Sequence, residues 1–211
     1  MNTNPSPNTL FQQLAEVIQA EMEHWHVPGV AVGIWYEGQA YTAGFGVTNI
    51  ENPLPVDENT LFQIGSTTKT ITTTAVLRLV EQGKLDLDAP VRAYLPDLQL
   101  ADEDTAVHVT TRHLLTHTGG WAGDFFKNTG LGDDALARYV AQLVDLPQVV
   151  PLGTMWSYNN AGFSLAGRVI EAVTGQDYET AVQALVLNPL GMAQSCFFAH
   201  DAITHRVVAG H

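Results

Sequence analysis

A chain of 211 residues with 9 Lys and Arg against 22 Asp and Glu carries a net charge of −13, which argues against nucleic acid or an anionic membrane surface as a partner, because both are held by clustered cations. The length allows one large domain or a two-lobed one with a sizeable core. No run approaches the roughly eighteen apolar residues of a membrane helix, and the polar residues 1–7 show no basic segment leading into an apolar one, so they do not read as a signal peptide. A soluble cytoplasmic protein is expected. The single cysteine, Cys196, stands beside Phe197 and Phe198 and reads as a packed thiol.

In chain order, Leu10, Leu14, Val17, Ile18 and Met22 recur at helical spacing, so residues 10–24 form an amphipathic opening helix. His24 and His26 flank Trp25 and shape the start of the strand that follows. Residues 30–36 read as that strand, Glu37-Gly38 as a turn and residues 39–47 as the hairpin partner. Next comes Leu61-Phe62-Gln63-Ile64-Gly65-Ser66-Thr67-Thr68-Lys69 and an apolar run to Val80, which reads as a loop entering a buried helix. Gly65 is placed at its N-cap, Ser66 in its first turn and Gly83 at its C-terminal stop.

Lys69 is three residues after Ser66, so the two side chains share a helix face. Serine is a poor nucleophile unless a base takes its proton, and lysine can take it only as the free amine, the form that burial and the positive end of a helix favour. The competing explanation of Ser-x-x-Lys is helix capping followed by a solvated charge.

From residue 91 to about 152 the chain reads as helices and loops: a short helix at 111–116 ending at Gly119-Gly120, and a fuller one at 134–146 stopped by Pro147. Trp121 lines a cleft mouth or is a plain surface aromatic. The turn Trp156-Ser157-Tyr158-Asn159-Asn160 then enters a helix at 161–174 stopped by Gly175, followed by another at about 178–187. This turn can present Tyr158 and Asn160 to a cleft, or use both for capping and packing. The organisation expected is α/β of the α+β kind, in three parts. Residues 1–90 hold the opening helix, hairpin and Ser66 helix, 91–155 a helical subdomain, and 156–211 the Tyr158 turn and the helices leading back to the sheet.

Two other motifs point elsewhere. Gly162-Phe163-Ser164-Leu165-Ala166 resembles a degenerate nucleophile elbow, but no strand precedes it, so Ser164 is expected within a helix. His113 and His117 stand four apart, a spacing that could hold a metal, yet no carboxylate or third ligand accompanies them. They are expected to pack or to hydrogen-bond, and neither metal nor cofactor is implied.

Taken together, His26-Val27-Pro28-Gly29-Val30, Gly65-Ser66-Thr67-Thr68-Lys69, Leu79-Val80-Glu81-Gln82-Gly83-Lys84-Leu85, Leu114-Leu115-Thr116-His117-Thr118-Gly119-Gly120, Tyr158-Asn159-Asn160 and Pro189-Leu190-Gly191-Met192 resemble the serine β-lactamase and penicillin-recognising hydrolases. The likeness is to the branch of class C β-lactamases, D-alanyl-D-alanine carboxypeptidases and related carboxylesterases. It implies a β-lactamase/transpeptidase-like fold, an antiparallel sheet flanked by helices with a helical subdomain. It further implies Ser66 as the acylated nucleophile, Lys69 as its partner, Tyr158 sharing proton traffic with Lys69, and Asn160 holding the substrate carbonyl. Either Lys69 or Tyr158 could be the base.

The family's third motif, Lys-Thr-Gly or His-x-Gly on a later strand, is not found, and neither Lys84-Leu85 nor Lys127-Asn128-Thr129-Gly130 fits its place. The expectation is therefore the N-terminal part of a longer enzyme, lacking the C-terminal sheet strands and completed by a further segment or a complementing chain. Alone it would expose the apolar faces of its hairpin and of its Ser66 helix. The function expected is a serine hydrolase acting on a small ester, amide or β-lactam. The alternative is a non-catalytic binding module or scaffold of the same fold, or an inactive fragment.

Overall fold

The computed structural model describes residues 7–210. In chain order it holds α1 (Pro7–Trp25), the hairpin β1 (Gly29–Tyr36) and β2 (Gln39–Gly46), then α2 (Thr68–Glu81), α3 (Glu103–His108), α4 (Thr111–Leu115), α5 (Ala135–Val140), α6 (Asn160–Thr174), α7 (Tyr178–Val182) and α8 (Ala199–Ala202). They fall into two compact units, one of residues up to Gln63 together with those from Gln194, the other Ile64–Ala193. The boundaries read from the sequence, at 90 and 155, both lie inside the second unit, where α2 packs with α6 and α7. Among the described residues no helix is long and apolar enough to cross a membrane.

In the first unit β1 and β2 pair antiparallel from Gly29 with Gly46 to Tyr36 with Gln39. Glu37 and Gly38 close the hairpin, both at positive φ, the combination a two-residue type I′ turn needs to match strand twist. Along β1, Val30, Val32 and Ile34 are half-buried while Ala31, Gly33 and Trp35 face outward, Trp35 at 73% exposure. The later part of the unit returns to the segment after β2: Leu61 exchanges backbone hydrogen bonds with Arg206 and Val208, and Arg206 donates to Asp57 at 2.7 Å. Cys196, expected to be packed, is exposed. Its neighbours Phe197 and Phe198 are themselves over a third exposed, so nothing among the described residues closes over the thiol.

The second unit is built around α6. Leu165, Ala166, Val169 and Ile170 are fully buried on it, against Ala75, Val76 and Leu79 of α2, Leu114 of α4 and Ala181 and Val182 of α7. The apolar face of α2 is therefore covered, contrary to expectation. A Leu or Ile in such a core stabilises by about 2–3 kcal/mol through area burial alone.

The helix starts follow the capping chemistry in the sequence. The Asn159 side chain accepts from Gly162 N–H at 2.7 Å to cap α6, and Gly175 ends the helix in the left-handed conformation. Asp102 caps α3 by accepting from Thr105 N–H at 2.7 Å, a helix the hydrophobic spacing did not reveal. Two helices are shorter than expected. The pattern over 134–146 splits into α5 and a 3-10 turn at Leu143–Asp145, after which Leu146 is extended, as the residue before Pro147 prefers. Tyr139, Val140, Leu143 and Leu146 are nonetheless all buried. The 178–187 helix ends as α7 at Val182 and continues as a π-helical turn, Gln183–Leu187, which buries Val186 and Leu187.

Asn159 is 2% exposed and also donates through Nδ2 to the Trp121 carbonyl at 2.9 Å. Asn159→Ala removes the cap and leaves that carbonyl unpaired, so it is expected to cost about 2–4 kcal/mol, read from the urea unfolding midpoint. A loss below about 1 kcal/mol would contradict this assignment.

Candidate active site

Ser66 does not open the α-helix itself. It sits in a 3-10 turn, Gly65–Thr67, whose first residue takes φ +49°, and α2 begins at Thr68. The expected N-cap at Gly65 is thus replaced by Ile64 ahead of the 3-10 turn and Thr67 ahead of the helix, neither with a side-chain cap bond. The tighter turn still leaves Lys69 one turn beyond the serine, and Lys69 Nζ lies 3.2 Å from Ser66 Oγ.

The second wall of the site comes from the turn before α6. Because Asn159 does the capping, its neighbours Tyr158 and Asn160 are left to face α2. Tyr158 Oη donates to Ser66 Oγ at 2.7 Å, and Lys69 Nζ donates to Asn160 Oδ1 at 2.7 Å. Asn160 Nδ2 in turn donates to Asp124 Oδ1 at 2.9 Å, which fixes the amide with its oxygen towards the lysine. The Gly123 carbonyl accepts from the N–H groups of Asn160 and Ala161, both at 3.1 Å. A Cβ on Gly123 would stand 2.6 Å from the Tyr158 carbonyl oxygen, so only glycine permits this crossing.

His117 clamps the Tyr158 turn from below. Its carbonyl accepts from Ser157 N–H and its Nδ1 from Asn159 N–H, both at 2.9 Å. Its ring stacks on Tyr158 at 4.6 Å between centroids, and its backbone takes φ +58°, a conformation costly for a residue with a Cβ. Burial first, and the charge of Lys69 second, hold the imidazole pKa below its ordinary value. The neutral ring is the form that can accept from Asn159. The hydrogen bond with Lys69 first, and that with Ser66 second, hold the Tyr158 phenol below the ordinary tyrosine pKa.

Four of the five residues singled out in the sequence, Ser66, Lys69, Tyr158 and Asn160, therefore converge. Trp121 does not: at 3% exposure it belongs to the core, neither at a cleft mouth nor on the surface, because Gly119 and Gly120 turn the chain inward before it. His113 and His117 take separate places. His113 completes a capping box with Thr110 at the start of α4, and among the described residues no group of three His, Cys, Asp or Glu could hold a metal. Ser164 lies within α6. Sequence reading did not find Asp124, which carries no motif. It left His117 a generic packing or hydrogen-bonding residue, because its partners Ser157, Tyr158 and Asn159 are 40 to 42 residues away. A pocket of about 690 Å³ opens beside Ser66, Lys69 and Asn160 and extends between α2, α6 and the loop after Asp124.

This constellation can activate a hydroxyl: Lys69 Nζ and a phenol of lowered pKa both touch one oxygen, so that once this pair has lost a proton it can take the one on Ser66. A family model described as Beta-lactamase matches residues 14–211. Penicillin-binding protein 4 of Amycolatopsis lactamdurans is 39% identical over 189 residues, 90% of this chain and 49% of its own length. Esterase EstB of Burkholderia gladioli is 38% identical over 198 residues, 87% of this chain and 50% of its own. Among solved structures, the octameric penicillin-binding protein homologue from Pyrococcus abyssi has a TM-score of 0.79 at 31% identity, over 95% of this chain and 47% of that one. The fold is thus of the β-lactamase/transpeptidase type, and the chain spans about half the length of the curated relatives it matches.

Among the six tyrosines, ultraviolet difference titration is expected to show one phenol ionising before the others. Tyr158→Phe should abolish that transition and Lys69→Met should move it upward. A titration unchanged by Lys69→Met would contradict the assigned cause.

Proposed function

The chain belongs to the β-lactamase family, and from this we propose that it serves as a serine hydrolase forming an acyl-enzyme on Ser66 with a small ester, amide or β-lactam. The observation that carries the reading is the double contact on Ser66 Oγ, from Tyr158 Oη at 2.7 Å and Lys69 Nζ at 3.2 Å. The names of the two curated relatives, an esterase and a penicillin-binding protein, fit the same chemistry.

In this reading the Lys69–Tyr158 pair takes the serine proton as Oγ attacks the carbonyl carbon. The two groups act as one coupled base. The Ser66 N–H, at the start of its turn, is one donor to the developing oxyanion. Asn160 spends one amide N–H on Asp124 and offers the other to the substrate carbonyl. Collapse of the intermediate breaks the bond to the leaving group, which takes up the proton held by the pair. Water then attacks the acyl-enzyme, its proton passes through the same pair, and Ser66 is regenerated. Lys69, anchored on Asn160 and lying 4.6 Å from the Tyr158 ring centroid, stabilises the phenolate form of Tyr158 whenever the pair has given up its proton.

Hydrolysis of a chromogenic acyl ester is expected to fall about a thousandfold or more in Ser66→Ala, and about 10²- to 10⁴-fold in Tyr158→Phe. Because the pair must be deprotonated to act, kcat/KM should rise with pH through the lowered ionisation of Tyr158, and that limb should shift upward in Lys69→Met. Binding of the ester without Ser66-dependent turnover would refute the hydrolase reading and favour a scaffold.

A further inference from the structure

The pocket beside Ser66 has walls that specify what fills it. From α6 it takes Asn160, Phe163, Ser164 and Gly167, spaced i, i+3, i+4 and i+7, so they form one face of the helix. From α2 it takes Lys69 and Thr72, again one turn apart. Phe125, Leu136, Tyr139 and Tyr178 supply further apolar surface. Hydroxyls facing the interior are engaged: Thr72 Oγ1 and Tyr178 Oη lie 2.7 Å apart, and Tyr139 Oη donates to the Phe125 carbonyl at 2.6 Å. The part of the wall formed by α5, α6 and Tyr178 is thus mainly apolar, while Lys127 and Asn128 add polar lining from the loop after Asp124. The pocket volume, about 690 Å³, falls in the range of small-molecule sites, roughly 300–1,000 Å³.

Gly167 sets the depth. Glycine is the least favourable residue after proline for a helix interior, yet it stands in the middle of α6. A Cβ there would lie 3.1 Å from Leu136 Cδ2 and 3.3 Å from Tyr178 Cδ2. A methyl there would press on both side chains and take up part of the space between α6, α5 and Tyr178.

The proton donor identifies which half of the substrate enters. Tyr158 touches Ser66 Oγ but does not line this pocket, and the residue is 40% exposed. A leaving group must sit beside the group that protonates it and must escape to water, so it belongs on the Tyr158 side. The acyl portion, which stays bonded to Ser66, is directed to the other side. Building on the acyl-enzyme reading of Ser66, we propose that this pocket binds the acyl chain of the substrate. The enzyme selects medium-length aliphatic or single-ring aromatic acyl groups over acetyl, with Gly167 and Leu136 as the specificity-determining residues.

The test uses the full protein with p-nitrophenyl esters of acetate, butyrate, hexanoate and phenylacetate, and a parallel series of acetate esters with alcohols of rising length. In the wild type kcat/KM is expected to climb about fourfold per buried methylene along the acyl series and to stay flat along the alcohol series. Gly167→Ala should lower the hexanoate-to-acetate ratio about tenfold, and Leu136→Ala, which widens the pocket, should raise it. A loss of folded protein lowers both esters alike and leaves the ratio untouched, so misfolding cannot imitate the result. If acetate turnover depends on Ser66 but the acyl ratio is flat and unmoved by either variant, or if the alcohol ratio moves instead, this inference alone is overturned. If no ester is turned over in a Ser66-dependent way, the acyl-enzyme reading fails and the inference falls with it.

Discussion

Asn159 has its polar groups committed at once. Its Oδ1 caps α6 on Gly162, its Nδ2 holds the Trp121 carbonyl, and its backbone N–H is received by His117 Nδ1. Burying an amide this deeply is tolerable only because each group is paired. The consequence is geometric. One residue ties the start of the central helix to the chain crossing at 119–124 and to the end of α4, so the residues on either side of it have no choice of direction. Tyr158 precedes the cap and Asn160 follows it, and both project towards α2.

From that lock a line of hydrogen bonds runs across the site: Asp124 to Asn160, Asn160 to Lys69, Lys69 to Ser66, and Tyr158 to Ser66. The line alternates charge and dipole. Asp124 attracts the amide N–H, the amide oxygen attracts the ammonium, and the ammonium lowers the energy of a phenolate beside the serine. His117 underlies the arrangement as a neutral ring. A charged imidazole would lose the acceptor that holds Asn159 and would stand close to Lys69. Burial and the lysine charge, which hold its pKa below the ordinary value, act in the direction the site requires.

Local chemistry was legible in the sequence and long-range chemistry was not. The Glu37-Gly38 hairpin turn, the Gly83 and Gly175 helix stops and the Ser66–Lys69 pair each follow from residues within a few positions of one another, and each stands as expected. The approach of Tyr158 and Asn160 to Ser66 spans more than ninety residues and was available only through family resemblance. Asp124, with no motif, was invisible. Trp121 was misplaced because an aromatic after two glycines looks like a loop tip, whereas those glycines fold it into the core. Cys196 was misplaced for the opposite reason: apolar neighbours in sequence do not bury a thiol when they are exposed themselves. The close approach of Leu136 and Tyr178 to α6 depends on the absence of a side chain at Gly167, a feature no hydrophobic pattern records.

The central claim is that the oxygen held between Lys69 and Tyr158 is the one that becomes acylated. The most direct measurement is peptide mapping by tandem mass spectrometry after labelling the full protein with a fluorophosphonate. The account requires a single adduct on Ser66, with labelling slowed in Tyr158→Phe. An adduct on Ser164 or on another hydroxyl, or an unlabelled Ser66 in folded protein, would contradict it.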